Sequence, residues 1–242
     1  MCRLVAVPMP VTQSSPAAIL QSVKPEIPGI HTLRLSVPFQ FKPGQSVQVH
    51  FPGEHKKRFY SISSSPTEGP FIEITVKSNP GSLLAKDIEG LKAGASLPLD
   101  GPHGGSLSLP EPVQHPLVFI AAGTGVTPFR SMIRYLMDES VSSDYWLLHS
   151  VRSRGDLLFQ KEFAPWSGQH KNFRYVPTIT RDHDAAWTHE TGRISAALIR
   201  KHVTAKDTIY LLCGLVAFVA DMEKTLLKEL QVPADRIRRE KW

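Results

Sequence analysis

Leu117-Val118-Phe119-Ile120-Ala121-Ala122-Gly123-Thr124-Gly125-Val126-Thr127-Pro128 is the stretch on which the fold of this 242-residue chain turns. Its first six residues are uninterrupted and apolar, as in a parallel strand buried on both faces. From about Pro128 to Glu139 the pattern changes to helical, with Met132, Ile133, Leu136 and Met137 on one face. Between strand and helix, Gly123 and Gly125 let an anion approach the backbone. Thr127 suits a cap, Pro128 suits a first turn, and the free amides of a helix start attract a pyrophosphate. The same residues also build a tight turn that binds nothing, and the run is not the GxGxxG fingerprint.

Working outward from this turn, strands and helices alternate. Tyr145 to Ser150 reads as a strand, Leu157 to Phe163 as a short helix, Phe173 to Thr180 as a strand, and Ser195 to Val203 as a helix. Thr208 to Cys213 follows as a strand and Val216 to Leu230 as a long helix, with Arg236 to Trp242 ending the chain. Such a succession predicts a parallel sheet with helices on both faces. Upstream lies the proline-rich connector Leu109-Pro110-Glu111-Pro112-Val113-Gln114-His115-Pro116. Before it, His31 to Val37, Ser46 to Phe51 and Phe71 to Val76 alternate as half-buried strands do. Pro43-Gly44, Pro52-Gly53, Pro80-Gly81 and Gly101-Pro102 punctuate them as turns, and a short helix fits Leu83 to Ile88. The expected organisation is a flexible extension over 1–18, an antiparallel β-barrel over 19–112, and a parallel-sheet, Rossmann-like α/β domain over 113–242.

Composition narrows the class. A hydrophobic fraction of 41% with 21% charged residues is that of a folding protein rather than a disordered one. No run approaches the roughly 18 apolar residues of a membrane span. The start, Met1 to Val7 followed by Pro8 and Pro10, lacks the apolar core of a secretory signal, so an intracellular, cytoplasmic protein is expected, with an organelle as the alternative. Cys2 and Cys213 are the only cysteines, too few for an iron–sulfur cluster or a cysteine-rich zinc site, and no metal is expected. The formal charge of +6 suits an anionic partner, although many basic proteins bind nothing through their charge. A nucleic-acid module ranks last, because the basic residues are not gathered on one reading element.

In the first half, Arg58-Phe59-Tyr60-Ser61-Ile62-Ser63-Ser64-Ser65-Pro66 combines a guanidinium, an aromatic ring and several hydroxyls. An arginine pairs with phosphate, a tyrosine packs on a ring and a serine reaches ring heteroatoms, so the set suits a phosphate-bearing aromatic ligand. Alone it is also compatible with a polar strand end. Taken with Gly123-Thr124-Gly125-Val126-Thr127-Pro128, however, the pair resembles the RxYS and GTGxxP signatures of the ferredoxin-NADP reductase superfamily. Three further segments match in order: Asn79-Pro80-Gly81-Ser82-Leu83-Leu84 with Gly101-Pro102-His103-Gly104 closing the barrel; Cys213-Gly214 at a strand end; and Glu240-Lys241-Trp242, similar to the carboxy terminus of the plant-type branch.

The resemblance implies a flavoprotein oxidoreductase that moves hydride between a nicotinamide coenzyme and FAD, with FMN as the alternative, and then releases electrons singly. It places Ser61, Cys213, Glu240 and Trp242 at the hydride site. Arg58 falls on the flavin phosphate, with Phe59, Tyr60 and Ser61 along the isoalloxazine. Val76, Lys77, Gly81, Ser82 and Leu83 complete the flavin contacts. Gly123, Thr124, Gly125, Thr127 and Pro128 hold the coenzyme pyrophosphate, Cys213 and Gly214 shape the nicotinamide pocket, and Trp242 shields the flavin face. For the adenosine end, Arg152, Thr180 and Arg181 favour NADPH over NADH, against which stands Asp182, able to neutralise Arg181. Without the cysteine-rich segments of some relatives, electrons are expected to leave to an acidic carrier such as ferredoxin or flavodoxin. His55, Lys56, Lys57, Arg58, Arg236, Arg238, Arg239 and Lys241 are the expected docking cations. A haem, oxygenase, flavin or quinone acceptor is the alternative within enzymes. A non-catalytic flavin-binding regulator is the alternative outside them, and its expected mark, a broken Arg-x-Tyr-Ser or a lost cysteine, is absent from this sequence. Oligomeric state is not legible at this level.

Overall fold

The structure is a computed structural model and describes residues 17–53, 57–104, 107–182 and 186–241. Residues 1–16, His55, Lys56 and Trp242, which carried several expectations, lie outside the described residues.

The first half is built from β1 (Ala17–Ile27), β2 (Ile30–Ser36), β3 (Ser46–Val49), β4 (Arg58–Ser61), β5 (Phe71–Lys77), helix α1 (Leu83–Gly90) and β6 (Ser96–His103). The strands form one antiparallel sheet in the order β4-β3-β6-β1-β2-β5. A bridge between Ile62 and Ile74 joins its two ends, so the sheet curls into a barrel. Alternate residues of the strands point inward, which collects Leu33, Leu35, Val47, Val49, Ile72, Ile74 and Val76 into one core. β1 opens at Ala17, inside the stretch read from sequence as an extension, and irregular register after Leu20 and Pro25 bends it along the barrel. Arg58–Ser61, also readable as a polar strand end, is a full strand paired to β3.

The second half contains β7 (Leu117–Ala122), α2 (Thr127–Asp138), β8 (Tyr145–Val151), α3 (Gln160–Gln169), β9 (Phe173–Ile179), β10 (Glu190–Thr191), α4 (Ala196–His202), β11 (Ile209–Gly214), α5 (Val216–Lys224) and β12 (Ile237–Lys241). All six strands are parallel, in the order β10-β9-β8-β7-β11-β12. Strand β7 shows why its sequence is uniformly apolar. Leu117, Phe119 and Ala121 face a core shared with Phe129, Met132 and Ile133 of α2, whereas Val118 and Ile120 face Leu198, Ile199, Val219 and Met222 of α4 and α5. The chain runs from β7 outward to β10 and then returns to the other side of β7, so the strand order reverses between β7 and β11. Ligands of open α/β sheets bind at such a reversal.

Two local expectations are corrected, and one element is added that the sequence reading leaves unassigned. The helix placed at Leu157 to Phe163 begins only at Gln160, because Phe159 is left-handed at φ 60° and cannot be a helical residue. The long helix from Val216 is α-helical to Lys224 and then widens into a π-helical turn, Thr225–Glu229. The end of the chain, Ile237–Lys241, is a strand that the run Ile-Arg-Arg-Glu-Lys does not advertise, since β11 supplies its hydrogen bonds.

The halves meet around Arg130 of α2, which is nearly buried. One Nη1 donates to the carbonyl of Ser63 at 2.9 Å and to Glu73 Oε2 at 2.9 Å, both in the first half. Its Nε donates to Glu162 of α3 at 2.8 Å, and Glu68 lies 3.9 Å away. Burial works against the charge, but Glu162, Glu73 and Glu68 outweigh it and raise the pKa of the guanidinium. Glu73 in turn receives two bonds from Arg34. β5 is therefore buried on both faces although its sequence alternates. Ile72, Ile74 and Val76 face the barrel core, while on the other face Glu73 is covered by Arg130 and Thr75 is buried against Thr32 and Ser63. Arg130→Met should leave the buried Glu73 with Arg34 as its remaining cation and Glu162 without its Arg130 bond, at a cost of about 3 kcal/mol. Urea denaturation followed by barrel and α/β probes should show the loss, with the two transitions drawing apart; an unchanged midpoint overturns this assignment.

Candidate active site at the domain interface

The exit of β7 is a tight 3-10 turn over Gly123–Val126 that leads directly into α2. Gly123 is left-handed at φ 54°, a conformation that favours glycine. At Gly125 a Cβ would run into the carbonyl of Cys213, so only glycine lets the turn sit against the end of β11. Thr127, expected as a cap, instead donates its hydroxyl to the carbonyl of Thr124 at 2.7 Å. No side chain caps the first turn of α2, and Pro128 stands at its start. The turn therefore presents uncapped amides beside the strand reversal, which fits the pyrophosphate of a dinucleotide. Below it lies His149 of β8, fully buried, its Nε2 3.0 Å from the carbonyl of Gly123. Desolvation lowers its pKa to about 4, so the ring is neutral.

Across the reversal, β11 ends in Cys213-Gly214 and β12 places Glu240 directly opposite Cys213. Glu240 also comes within reach of the side chain of Ser61 from β4, so three of the four residues expected at the hydride site are brought together from both halves. Desolvation raises the Glu240 pKa and the Ser61 side chain partly offsets that rise. Burial, and then the charge of Glu240, push the Cys213 thiol well up, so it stays protonated. The fourth expected residue, Trp242, lies outside the described residues.

Along β4, Arg58 and Phe59 are exposed while Tyr60 and Ser61 are half-buried. Phe59 is 61% exposed and stands edge-on to His103 at 5.3 Å, and Tyr60 is edge-on to Phe51 at 6.0 Å. An end strand carrying open aromatic surface and a guanidinium fits a flat, phosphate-bearing cofactor. Gly81, at φ 75°, has open space where a Cβ would stand, just before α1. The hydroxyl of Ser82, expected to face a ligand, accepts from the amide of Ala85 at 3.2 Å, and its own amide donates to Asn79. Leu83 is exposed on the same turn. Val76 is corrected as a side-chain contact: it packs in the barrel core, while the next residue, Lys77, is exposed.

At the far end of the sheet, Arg152 and Arg181 are exposed and adjacent, the amide of Arg181 donating to the carbonyl of Arg152 at 2.9 Å. The Thr180 hydroxyl donates to the Val151 carbonyl at 3.1 Å. Nearby, Asp182 accepts from the amide of Arg154, and Asp156 from both the amide and the hydroxyl of Ser153. Of the expected docking cations, Arg236 pairs with Asp207, Arg239 with Glu223, and Arg238 donates to the Ser108 carbonyl, whereas Lys57, Arg58 and Lys241 are exposed. Arg130, Glu73, His149 and Tyr175 escaped the sequence reading. For Arg130, His149 and Tyr175 the signal is a polar residue interrupting an apolar strand or helix, whereas Glu73, on the polar side of an alternating strand, carries none. Among the described residues no group of His, Cys, Asp or Glu is arranged to hold a metal ion.

Residues 28–106 match the oxidoreductase FAD-binding domain family and residues 119–224 the oxidoreductase NAD-binding domain family. Over 213 residues the chain is 30% identical to ferredoxin-NADP reductase B of Sorangium cellulosum, covering 84% of this chain and 86% of that protein. It is also 30% identical, over 215 residues, to the reductase subunit of an aromatic O-demethylase from an Amycolatopsis species, covering 87% of this chain and 63% of that longer protein. The crystal structure of an Amycolatopsis cytochrome P450 reductase superimposes with a TM-score of 0.82 at 28% identity, over 93% of this chain and 69% of that one. With an FAD-binding barrel followed by an NAD-binding parallel sheet, the chain belongs to the ferredoxin-NADP reductase superfamily.

Proposed function

We propose that this chain is a reductase that accepts hydride from NADPH on a bound FAD and passes electrons singly to an external protein acceptor of the ferredoxin or flavodoxin kind. The observation that carries it is the meeting of Ser61 of the barrel with Glu240 of the α/β domain, which stands opposite Cys213. FAD, when bound, supplies the conversion of a two-electron hydride transfer into one-electron steps.

The chain's own residues divide the remaining work. Arg58 would neutralise flavin phosphate, Phe59 and Tyr60 would pack along the ring system, and around Ser82, whose own amide is held by Asn79, the turn would offer the amides of Gly81 and Leu83 near the phosphates, with Lys77 at its edge. Val76 contributes through its backbone alone. The amides of Gly123, Thr124 and Gly125, held by Thr127 and Pro128, bind the coenzyme pyrophosphate. Cys213 and Gly214 form the wall against the nicotinamide. A thiol kept neutral by burial serves there as a small, polarisable surface rather than a nucleophile. Glu240, its pKa raised, holds a proton more readily than an ordinary carboxylate and orients the Ser61 hydroxyl. Trp242 covers the flavin face and moves aside for nicotinamide, excluding water between turnovers.

For the adenosine end, Arg152 and Arg181 lie exposed side by side next to Thr180, which supports the 2′-phosphate of NADPH over the bare ribose of NADH. A second reading, a reductase serving an oxygenase or haem protein, is favoured by relatives named as the reductase subunit of an aromatic O-demethylase and the reductase component of propane 2-monooxygenase, of whose lengths this chain spans 63% and 65%.

The decisive experiment is anaerobic addition of NADPH to the purified yellow protein, followed by a screen of carrier proteins and oxygenase components. Bleaching with transfer to a ferredoxin or flavodoxin is expected. No bleaching refutes the reductase reading, and transfer only to an oxygenase component replaces the first acceptor with the second. Arg181→Ala should lower kcat/KM for NADPH by roughly tenfold or more while NADH turnover changes little; an unaltered preference removes the assignment. Transfer to an acidic carrier should slow steeply between low and high salt, and a flat profile counts against docking through Lys57, Arg58 and Lys241.

Glu240→Gln should slow hydride transfer yet strengthen the fold. Because the carboxyl pKa is raised on folding, its stabilisation is complete below the ordinary carboxylate range and is lost as pH rises through the raised value. The variant should therefore unfold at higher urea than the parent near neutral pH, with the gap closing at about pH 4. A gap that is absent at neutral pH, or that widens in acid, contradicts the assignment.

A further inference from the structure

Pyrophosphate binding by the Gly123 turn requires that its amides, and not its carbonyls, face the ligand. The peptide between Gly123 and Thr124 lies in a 3-10 turn that opens on a left-handed glycine, where the local backbone offers the Gly123 carbonyl one donor, the amide of Val126, and leaves its second lone pair to a group from the sheet. In a trans peptide the carbonyl of one residue and the amide of the next point in opposite directions. Whatever holds the Gly123 carbonyl inward therefore holds the Thr124 N–H outward.

His149 is the group that does so. It stands opposite Ala121 in the β7–β8 register, which puts its ring directly beneath the turn. It is fully buried, and its Nε2 is 3.0 Å from the Gly123 carbonyl oxygen. That oxygen can only accept, so Nε2 must carry the proton and donate. Nδ1 then has a lone pair, and Tyr175 of β9 places its hydroxyl 3.5 Å away as a weak donor. Burial keeps the Tyr175 phenol protonated and the His149 ring neutral, so both groups hold the states this relay needs across the physiological range.

We infer that His149 is a positioning residue for coenzyme binding, fixing the Gly123 carbonyl inward so that the Thr124 amide is already aimed at the pyrophosphate, with Tyr175 setting the tautomer of its ring. This inference rests on the coenzyme-binding role proposed above for the turn and adds the device that organises it. The ring touches neither coenzyme nor flavin. Its contribution is to remove the inverted peptide, whose carbonyl would face the anion, from the population that coenzyme meets.

The test uses the flavin-loaded protein and measures binding of NADP+ from the change in the flavin spectrum, together with steady-state kinetics. His149→Leu preserves apolar bulk but removes the donor. It should raise the NADP+ Kd and the NADPH KM roughly tenfold, with kcat falling far less than KM rises. His149→Gln, whose side-chain N–H can reach the same carbonyl, should recover most of that affinity. Parental affinity in His149→Leu, or a His149→Gln variant as weak as the leucine one, overturns the inference. Ring 15N shifts of the unmodified protein test it independently of variant folding: protonated Nε2 with bare Nδ1 between about pH 6 and pH 8 is expected, and the opposite tautomer refutes it. Failure of the parent protein to bind either NADP+ or NAD+ would instead remove the underlying assignment of the turn, an outcome distinct from a parent that binds and a variant that does not weaken.

Discussion

The guanidinium of Arg130 is the contact on which the geometry of the site depends. It sits one turn into the helix that follows the Gly123 turn, and it is bonded to the carbonyl of Ser63, two residues beyond Ser61, and to Glu73 on the adjacent barrel strand. A single planar group thus ties the start of the nucleotide-side helix to the strand end on the flavin side. An ion cluster of this kind gains little net stability over an apolar interface of the same shape, since desolvation consumes much of the Coulombic attraction. Its directional bonds fix how the two halves meet, and a reaction between two bound cofactors is sensitive to displacements on the order of an ångström.

Around that joint the two halves contribute different things. The barrel presents β4 at the end of its six-strand order, where strand pairing leaves a half-exposed face carrying Arg58, Phe59, Tyr60 and Ser61. The parallel sheet contributes the place where its strand order reverses, with the Gly123 turn on one side and Cys213-Gly214 on the other. Gly125 lets these two pieces touch, since any side chain there would collide with the backbone of Cys213. β12 then returns along β11 and carries Glu240 back toward Ser61, closing the site with residues from both ends of the chain.

Electrostatically the site is biased toward neutrality. Burial lowers the pKa of His149 and raises those of Cys213 and Glu240, in each case against the charged form. The charges that persist, on Arg58, Arg152 and Arg181, are exposed on its margins. A neutral centre with a cationic rim suits an anionic dinucleotide whose reacting ring is to be kept from water.

The sequence by itself determined the plan of a barrel followed by a parallel sheet, because period and punctuation are local properties. Uniformly apolar Leu117 to Ala122, ending at a glycine turn, fits a strand covered on both faces, and alternating runs between Pro-Gly turns fit a barrel. It also carried Arg58 to Ser61 and the Gly-Thr-Gly turn, whose residue types suit phosphate and ring contacts, whereas Cys213 and Glu240 were legible only through the resemblance to the ferredoxin-NADP reductase superfamily. Tertiary structure alone decided how these meet. β12 reads as a charged tail until β11 supplies its hydrogen bonds, and Glu73 reads as the solvent side of an alternating strand until Arg130 covers it. His149 reads as one polar interruption in a buried strand until the Gly123 carbonyl lies above it. Each of these depends on a partner dozens of residues away in sequence. The free energy of a buried polar group is set by that partner, and local periodicity does not encode it.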